Sequence, residues 1–198
     1  MLTRVSNIET FRRWRLDDEQ STEDLIARLT DFQPTEAMLA GTAFHRALEL
    51  ATPGDYATLS ANGYTFMLPD AEIALPDVRE LRTFGSYGQL QVTGCVDALH
   101  GRRVEDHKTT ASFRPDGYLE GCQWRFYLDL FGADVFRWNV FVITPVPKVD
   151  KTYNVKAPEL LEQCRYPGLH DDCMDLAAEF YTFAADYLPN HNTQLEAA

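Results

Sequence analysis

Apolar positions in the first fifty residues recur at the spacing of helix faces. "VSNIETFRRWRL" carries Ile8, Phe11 and Trp14 behind Ser6 or Asn7 as N-cap, which predicts a short first helix. "STEDLIARLTDF" predicts a second, with Ser21, Glu23 and Asp24 in capping positions. After Pro34, "TEAMLAGTAFHRALELA" sets Met38, Leu39, Phe44, Leu48 and Leu50 along a longer helix that ends before Pro53-Gly54. His45 and Glu49, four apart, share a face of it. From Tyr64 to Leu99 the pattern changes to short β-rich runs, "YTFMLP", "VRELRTFG" and "LQVTGCVDAL", divided by Pro, Gly and Asp, and "VEDHKTT" continues the sheet. Helical spacing returns in "GYLEGCQWRFYLDLFGA" through Leu119, Cys122, Phe126 and Leu130. "VFRWNVFVITPV" suits a buried strand, and after a polar connection an acidic helix from about Asp171 to Tyr187 closes the chain. This order predicts an α/β fold with a central mixed β-sheet flanked by helices.

One part of the β pattern carries chemistry. If Gly101-Arg102 form a two-residue turn, Asp97 stands across from Asp106 on the next strand, with Cβ atoms about 4.5–5.5 Å apart. Alternation puts Lys108 on the face of Asp106, while Glu105 and His107 point the other way. Facing carboxylates repel unless a positive charge lies between them. Lys108 offsets part of that, and Mg²⁺ or Mn²⁺ bound by both acids would offset the rest. His45 could add a nitrogen ligand, which shifts preference toward Mn²⁺. The competing reading of the same residues is a solvated hairpin edge and a packed helix histidine.

Composition narrows the classes. The chain has 198 residues, 45% of them hydrophobic, enough for one domain with a full core. Its N-terminus, "MLTRVSNIETFRRW", has no apolar stretch behind its charges, and no window approaches a membrane span, so a cytoplasmic protein without membrane contact is expected. Cys95, Cys122, Cys164 and Cys173 match no zinc or cluster spacing and read as free thiols. The formal charge of −12 argues against broad adhesion to nucleic acid. Any such contact must be local, at Arg4, Arg12, Arg13 and Arg15, at Arg102 and Arg103, or along Lys148, Lys151 and Lys156.

Four motifs in order, "GTAFHRALE" (Gly41 to Glu49), "GCVDAL" (Gly94 to Leu99), "VEDHKTT" (Val104 to Thr110) and "QWRFY" (Gln123 to Tyr127), resemble the PD-(D/E)XK nuclease superfamily. The likeness is to its RecB-like branch, which includes the nuclease domains of RecB and the CRISPR-associated adaptation exonucleases. That branch shows a GxxxH helix, a GxxD strand, a (D/E)xK strand and a QxxxY helix in this order. "VSNIETF" is also similar to the helix that opens many such domains.

The resemblance implies a restriction-endonuclease-like core in a single domain over residues 1–198. Residues 1–55 would hold the N-terminal helices and first motif, 60–150 the sheet core and QxxxY helix, and 151–198 the acidic helix. It implies that His45, Asp97 and Asp106 ligate Mg²⁺ or Mn²⁺, with the carbonyl of His107 a further ligand. Asp97, Asp106 and Lys108 would be catalytic, and Gln123 and Tyr127 would support Lys108 or touch DNA. Trp124 and Arg125 lie on the same helix and are expected near DNA, as are Arg102 and Arg103. The cysteines depart from the iron–sulfur arrangement of several relatives, so no cluster is expected. No GxxxxGK[ST] motor motif is present, so any helicase would be a separate partner, and an oligomer could supply further DNA affinity. The function implied is a metal-dependent DNA exonuclease of recombination, repair, phage DNA processing or CRISPR adaptation. The alternative is a catalytically silent, nuclease-like subunit that binds DNA or protein.

Overall fold

The computed structural model describes residues 1–31, 33–52, 57–69 and 78–188. The chain begins β1 (Leu2–Arg4), α1 (Val5–Arg15), α2 (Thr22–Thr30), α3 (Glu36–Leu50), β2 (Thr58–Ala61) and β3 (Tyr64–Met67). It continues β4 (Val78–Tyr87), β5 (Leu90–His100), β6 (Arg103–Thr110), α4 (Asp116–Leu119) and α5 (Gln123–Leu130). It ends β7 (Val135–Pro145), β8 (Thr152–Val155), β9 (Glu159–Cys164) and α6 (Leu169–Tyr187). The strands form one mixed sheet in the order β1-β5-β6-β7-β8-β3-β2, with β4 on the other edge of β5 and β9 on β7. The fold is therefore α/β, a mixed central sheet flanked by helices.

The β5–β6 hairpin has the anticipated register: Ala98 pairs with Glu105, Leu99 with Val104 and His100 with Arg103, around a Gly101 at φ +58°. A left-handed φ is what a tight hairpin turn demands, and glycine adopts it without strain. Beyond Ala98 the two strands part. β6 follows β7 in parallel from Arg103 to Thr110, while the same edge of β5 is taken up by β1 at Gln91–Thr93. Among the described residues, Gly94–Asp97 have no ladder partner on that edge, and the sheet opens there.

Helices α1, α5 and α6 cover one core, where Ile8, Phe11, Phe126 and Phe180 meet Val92, Val96, Val104, Phe136 and Trp138. Helix α3 closes a second, smaller core in which the Phe44 ring lies 5.1 Å from Phe66 and 4.8 Å from Phe141. The apolar face of α3 is not the one the larger side chains suggest. Ala40, Ala43, Phe44, Ala47 and Leu48 are buried, whereas Met38, Leu39 and Leu50 are 47%, 42% and 60% exposed. Small residues let the helix axis approach the sheet. At Gly41 a Cβ would stand 2.9 Å from Thr109 Oγ1 on β6.

Other boundaries also move. β1 leads straight into α1, so Arg4 is the N-cap and Ser6 and Asn7 lie inside the helix. The capping box of α2 forms as expected between Ser21 and Asp24. The "GYLEGCQWRFYLDLFGA" segment splits into α4 and α5 because the Cys122 N–H is taken by Glu9 Oε2 at 2.6 Å, which caps the new helix start. The segment read as a polar connection holds β8 and β9, so residues 151–188 are more than an acidic helix. Pro53-Gly54 lie outside the described residues. No described helix is long and apolar enough to cross a membrane, and the four cysteines are free.

Candidate active site

The opening between β5 and β6 is where the predicted residues meet. Helix α3 delivers His45, whose Nδ1 lies 3.1 Å from Asp97 Oδ1 on β5. The other oxygen of Asp97 accepts the backbone N–H of His107 at 2.5 Å. Asp97 and Asp106 keep the register of the hairpin but are not a ladder pair: the Asp97 carboxylate takes the place of a backbone acceptor where the strands separate. That arrangement satisfies the His107 N–H and holds the carboxylate at the opening.

Asp106 is only 4% exposed. Its Oδ1 accepts from Lys108 Nζ at 2.8 Å, and its Oδ2, fully buried, has no hydrogen-bond partner among the described residues. A buried carboxylate oxygen left without a partner is costly unless a ligand completes it. Burial, reinforced by the charge of Asp97, raises the Asp106 pKa although Lys108 opposes the shift. For Asp97 burial pulls upward too, but the contact with His45 and the charge of Lys108 win, and its carboxyl is held below the usual range. Burial alone would discharge Lys108; Asp106 and Asp97 more than offset it and keep the ammonium charged. His45 is likewise shifted up, against its burial, by Asp97.

The QxxxY helix also reaches this point. The Tyr127 ring lies against β5 where only Gly94 leaves room: a Cβ there would stand 2.7 Å from Tyr127 Cε1. Gln123 Nε2 donates to the Tyr127 hydroxyl at 3.2 Å. Burial and the charge of Asp106 push the Tyr127 pKa up, so the phenol stays protonated beside Asp106 and Lys108. The ring of His107 faces α3, 6.3 Å from the His45 ring and lining the same depression as Asp97, with its Nδ1 3.2 Å from Asn139 Nδ2, and burial lowers its pKa. Glu105 points away as anticipated, accepting from the same Asn139 amide at 3.0 Å.

The arginines expected near DNA are otherwise engaged. Arg102 grips Asp134 with two nitrogens at the hairpin tip, and Arg103 pairs with Glu105 at 2.7 Å. Arg125 stacks over Trp124 at 4.6 Å and bonds Tyr166 and the Gly121 carbonyl, on the α6 side of its helix, apart from Gln123 and Tyr127. Trp124 is buried, its Nε1 directed to Leu119 O. Its place is the core, because an indole this large packs under α5 and finds its acceptor in the preceding turn.

The architecture has a solved counterpart. The chain is similar to the crystal structure of SSO0001, with a TM-score of 0.50 and 18% identity over 91% of this chain and 75% of that one. No family model matches the chain, and no curated protein matches it. The likeness establishes a shared fold, and the site has to be read from its own chemistry.

One site residue lies outside the four motifs. Glu80 sits on β4 in a left-handed conformation, φ +53°. On either side of it Arg79 pairs with Ala98 and Leu81 with Val96, so Glu80 stands opposite Asp97 at the interrupted step of that ladder. Ligand atoms of His45, Glu80 and Asp97 all lie within 4.8 Å of one another. Burial and the charge of Asp97 raise the Glu80 pKa. Counting could have found it: with Gly88-Gln89 as the turn, the arithmetic that sets Asp106 against Asp97 sets Glu80 against it from the other side. As a donor set, carboxylate oxygens with one imidazole fit Mg²⁺ or Mn²⁺; Asp106, on the neighbouring strand, is not one of the three residues of this cluster, and its Oδ2 is buried without a partner among the described residues.

Proposed function

We propose that this protein is a metal-dependent deoxyribonuclease of the PD-(D/E)XK type, an exonuclease of the RecB-like kind acting on linear DNA with Mg²⁺ or Mn²⁺. The observation that carries the reading is Asp106: a deeply buried carboxylate with one oxygen on Lys108 and the other unpartnered, placed beside the His45–Asp97 pair. A structural ion pair would leave no oxygen over. The reading also takes the sheet as a restriction-endonuclease-like core, and the His107 carbonyl remains a proposed further ligand.

His45, Asp97 and Asp106 would hold the ion. When bound, it lowers the pKa of a coordinated water and offsets charge that builds on the phosphate. The remaining roles belong to the protein. Lys108, one-third exposed and kept protonated by Asp106, presents a fixed positive charge at the mouth of the site, where a phosphodiester oxygen gains negative charge. Asp97 orients His45 and is itself locked by the His107 N–H. Tyr127, fixed by Gln123 and Gly94, walls the buried side and keeps Asp106 away from bulk water.

The test is incubation of the purified protein with 5′- and 3′-labelled linear DNA in Mn²⁺, Mg²⁺ or EDTA. Stepwise, metal-dependent loss of label is expected, falling at least about a hundredfold in Asp106→Ala and Lys108→Ala. Cleavage that survives either substitution, or that proceeds in EDTA, would refute the assignment. A second reading has one observation in its favour: Arg12, Arg13, Arg15, Arg102 and Arg103, five of the candidate phosphate contacts, are all paired to acids. A silent binding subunit predicts DNA or protein binding by wild type and by Lys108→Ala alike, with no turnover by either.

A further inference from the structure

We propose that Glu80 is a fourth side-chain ligand of the divalent cation, supplied by edge strand β4 rather than by any of the motif elements. The inference rests on the metal-site reading above. Three independent features converge on it.

The first is placement. Glu80 lies across from Asp97, and its carboxylate, the His45 imidazole and the Asp97 carboxylate fall within 4.8 Å of one another. The contact Glu80 makes within its own sheet is weak, a Cys95 Sγ donor at 3.5 Å. The nearby Glu49, which lines the same depression, is instead committed to Arg46.

The second is the clamp that brings β4 to the end of α3. Arg79, the residue before Glu80, donates from one guanidinium nitrogen to the carbonyls of Leu48 at 3.1 Å, Glu49 at 2.8 Å and Ala51 at 3.3 Å. Leu48 and Glu49 lie in the last turn of the helix that carries His45 and Ala51 is its C-cap, where carbonyls run out of intrahelical donors, although Leu48 O also accepts the Ala51 N–H at 3.2 Å. Arg79 thus ties the strand of Glu80 to the helix of His45, and is a positioning residue for the pair.

The third is the charge balance with Asp106. Its Oδ2 is buried without a hydrogen-bond partner among the described residues, on the strand next to the one that carries Asp97. Set against Lys108 and Arg79, the acids Glu80, Asp97 and Asp106 remain in excess, which favours a bound cation. Oxygen-rich coordination of this kind selects a hard cation over a soft one.

The deciding experiment is calorimetric titration of Mn²⁺ into the metal-free protein in the absence of DNA, with wild type, Glu80→Gln, Glu80→Gly and Glu49→Gln. Wild type is expected to bind one Mn²⁺, Glu80→Gln at least about tenfold more weakly, and Glu49→Gln within about twofold of wild type. Glu80→Gly relieves the left-handed backbone, so it should melt no lower than wild type without metal while showing the same loss of Mn²⁺ affinity. Equal Mn²⁺ affinity in wild type and Glu80→Gln, or no binding by wild type, overturns the proposal. Normal Mn²⁺ binding lost in Glu80→Gln, combined with no cleavage of DNA, sinks the nuclease reading and leaves the Glu80 ligand intact.

Discussion

A buried carboxylate must be paired, neutralised or completed by a ligand, and three acids here differ in how fully they are paired. Glu9, on α1, is fully paired: Arg12 reaches it at 3.0 Å, Arg13 at 2.7 Å and the Cys122 N–H at 2.6 Å. Burial works to raise its pKa, yet these partners hold it at about 2 against an ordinary value of 4.5. A depressed carboxyl pKa stabilises the fold above the unfolded value, and that contribution is lost as the pH falls from about 4.5 toward about 2. Glu9→Gln is therefore expected to remove about 2–3 kcal/mol at pH 7 and to lose far less on acidification than wild type. Urea unfolding at pH 7 and pH 3 reads both effects, and parallel pH dependence in the two proteins would refute the account. Asp97 follows the same route through His45 and a backbone N–H, whereas Asp106 is half-paired. The difference between Glu9 and Asp106 is that both oxygens of Glu9 have partners, whereas Asp106 Oδ2 has none among the described residues.

Between elements, the site depends on places where a side chain is missing. Gly94 admits the Tyr127 ring onto β5, and Gly41 lets α3 approach Thr109 closely enough for His45 to reach Asp97. Gly94→Ala would force the rigid ring outward and should cost about 1–3 kcal/mol by urea denaturation, whereas Tyr127→Phe, which loses only the Gln123 bond, should cost about 1. If Gly94→Ala were neutral, the ring would have to be free to move. These contacts also show what the sequence reveals and what it hides. Hairpin counting anticipated the pairs from Ala98–Glu105 to His100–Arg103 because register follows from the turn and from strand alternation, both local, but the expected pair of Asp97 and Asp106 does not form, since the strands part beyond Ala98. The same hairpin logic was available for Glu80, yet its left-handed backbone and the Arg79 clamp are set by tertiary contacts that no periodicity records. The alanine face of α3 was hidden for a related reason: bulk predicts burial only where the partner surface has room, and here the close approach to β6 excludes Met38 and Leu39. Three-residue β1 carries no pattern of its own and exists because β5 offers it an edge.

At the scale of the whole molecule, the formal charge of −12 and the placement of charge argue together. Much of the positive charge is spent on internal pairs that staple helices and strands, Glu9 with Arg12 and Arg13, Asp134 with Arg102, Glu162 with Arg137. The uncompensated negative charge that matters for chemistry lies in the opening between β5 and β6, so a divalent cation should act on stability through that one place. At a free Mn²⁺ concentration one hundred times its dissociation constant, native-state binding adds about 2.7 kcal/mol, which for a chain of this size raises Tm by roughly 5–10 °C. A diffuse effect on an acidic surface would instead be reproduced by Na⁺ at the same ionic strength and would survive Asp106→Ala. Thermal melts of wild type and Asp106→Ala in EDTA, Mn²⁺ and matched NaCl separate the two cases: a Mn²⁺-specific shift lost in the variant places the ion at Asp106, and equal shifts in both proteins would assign it to the surface.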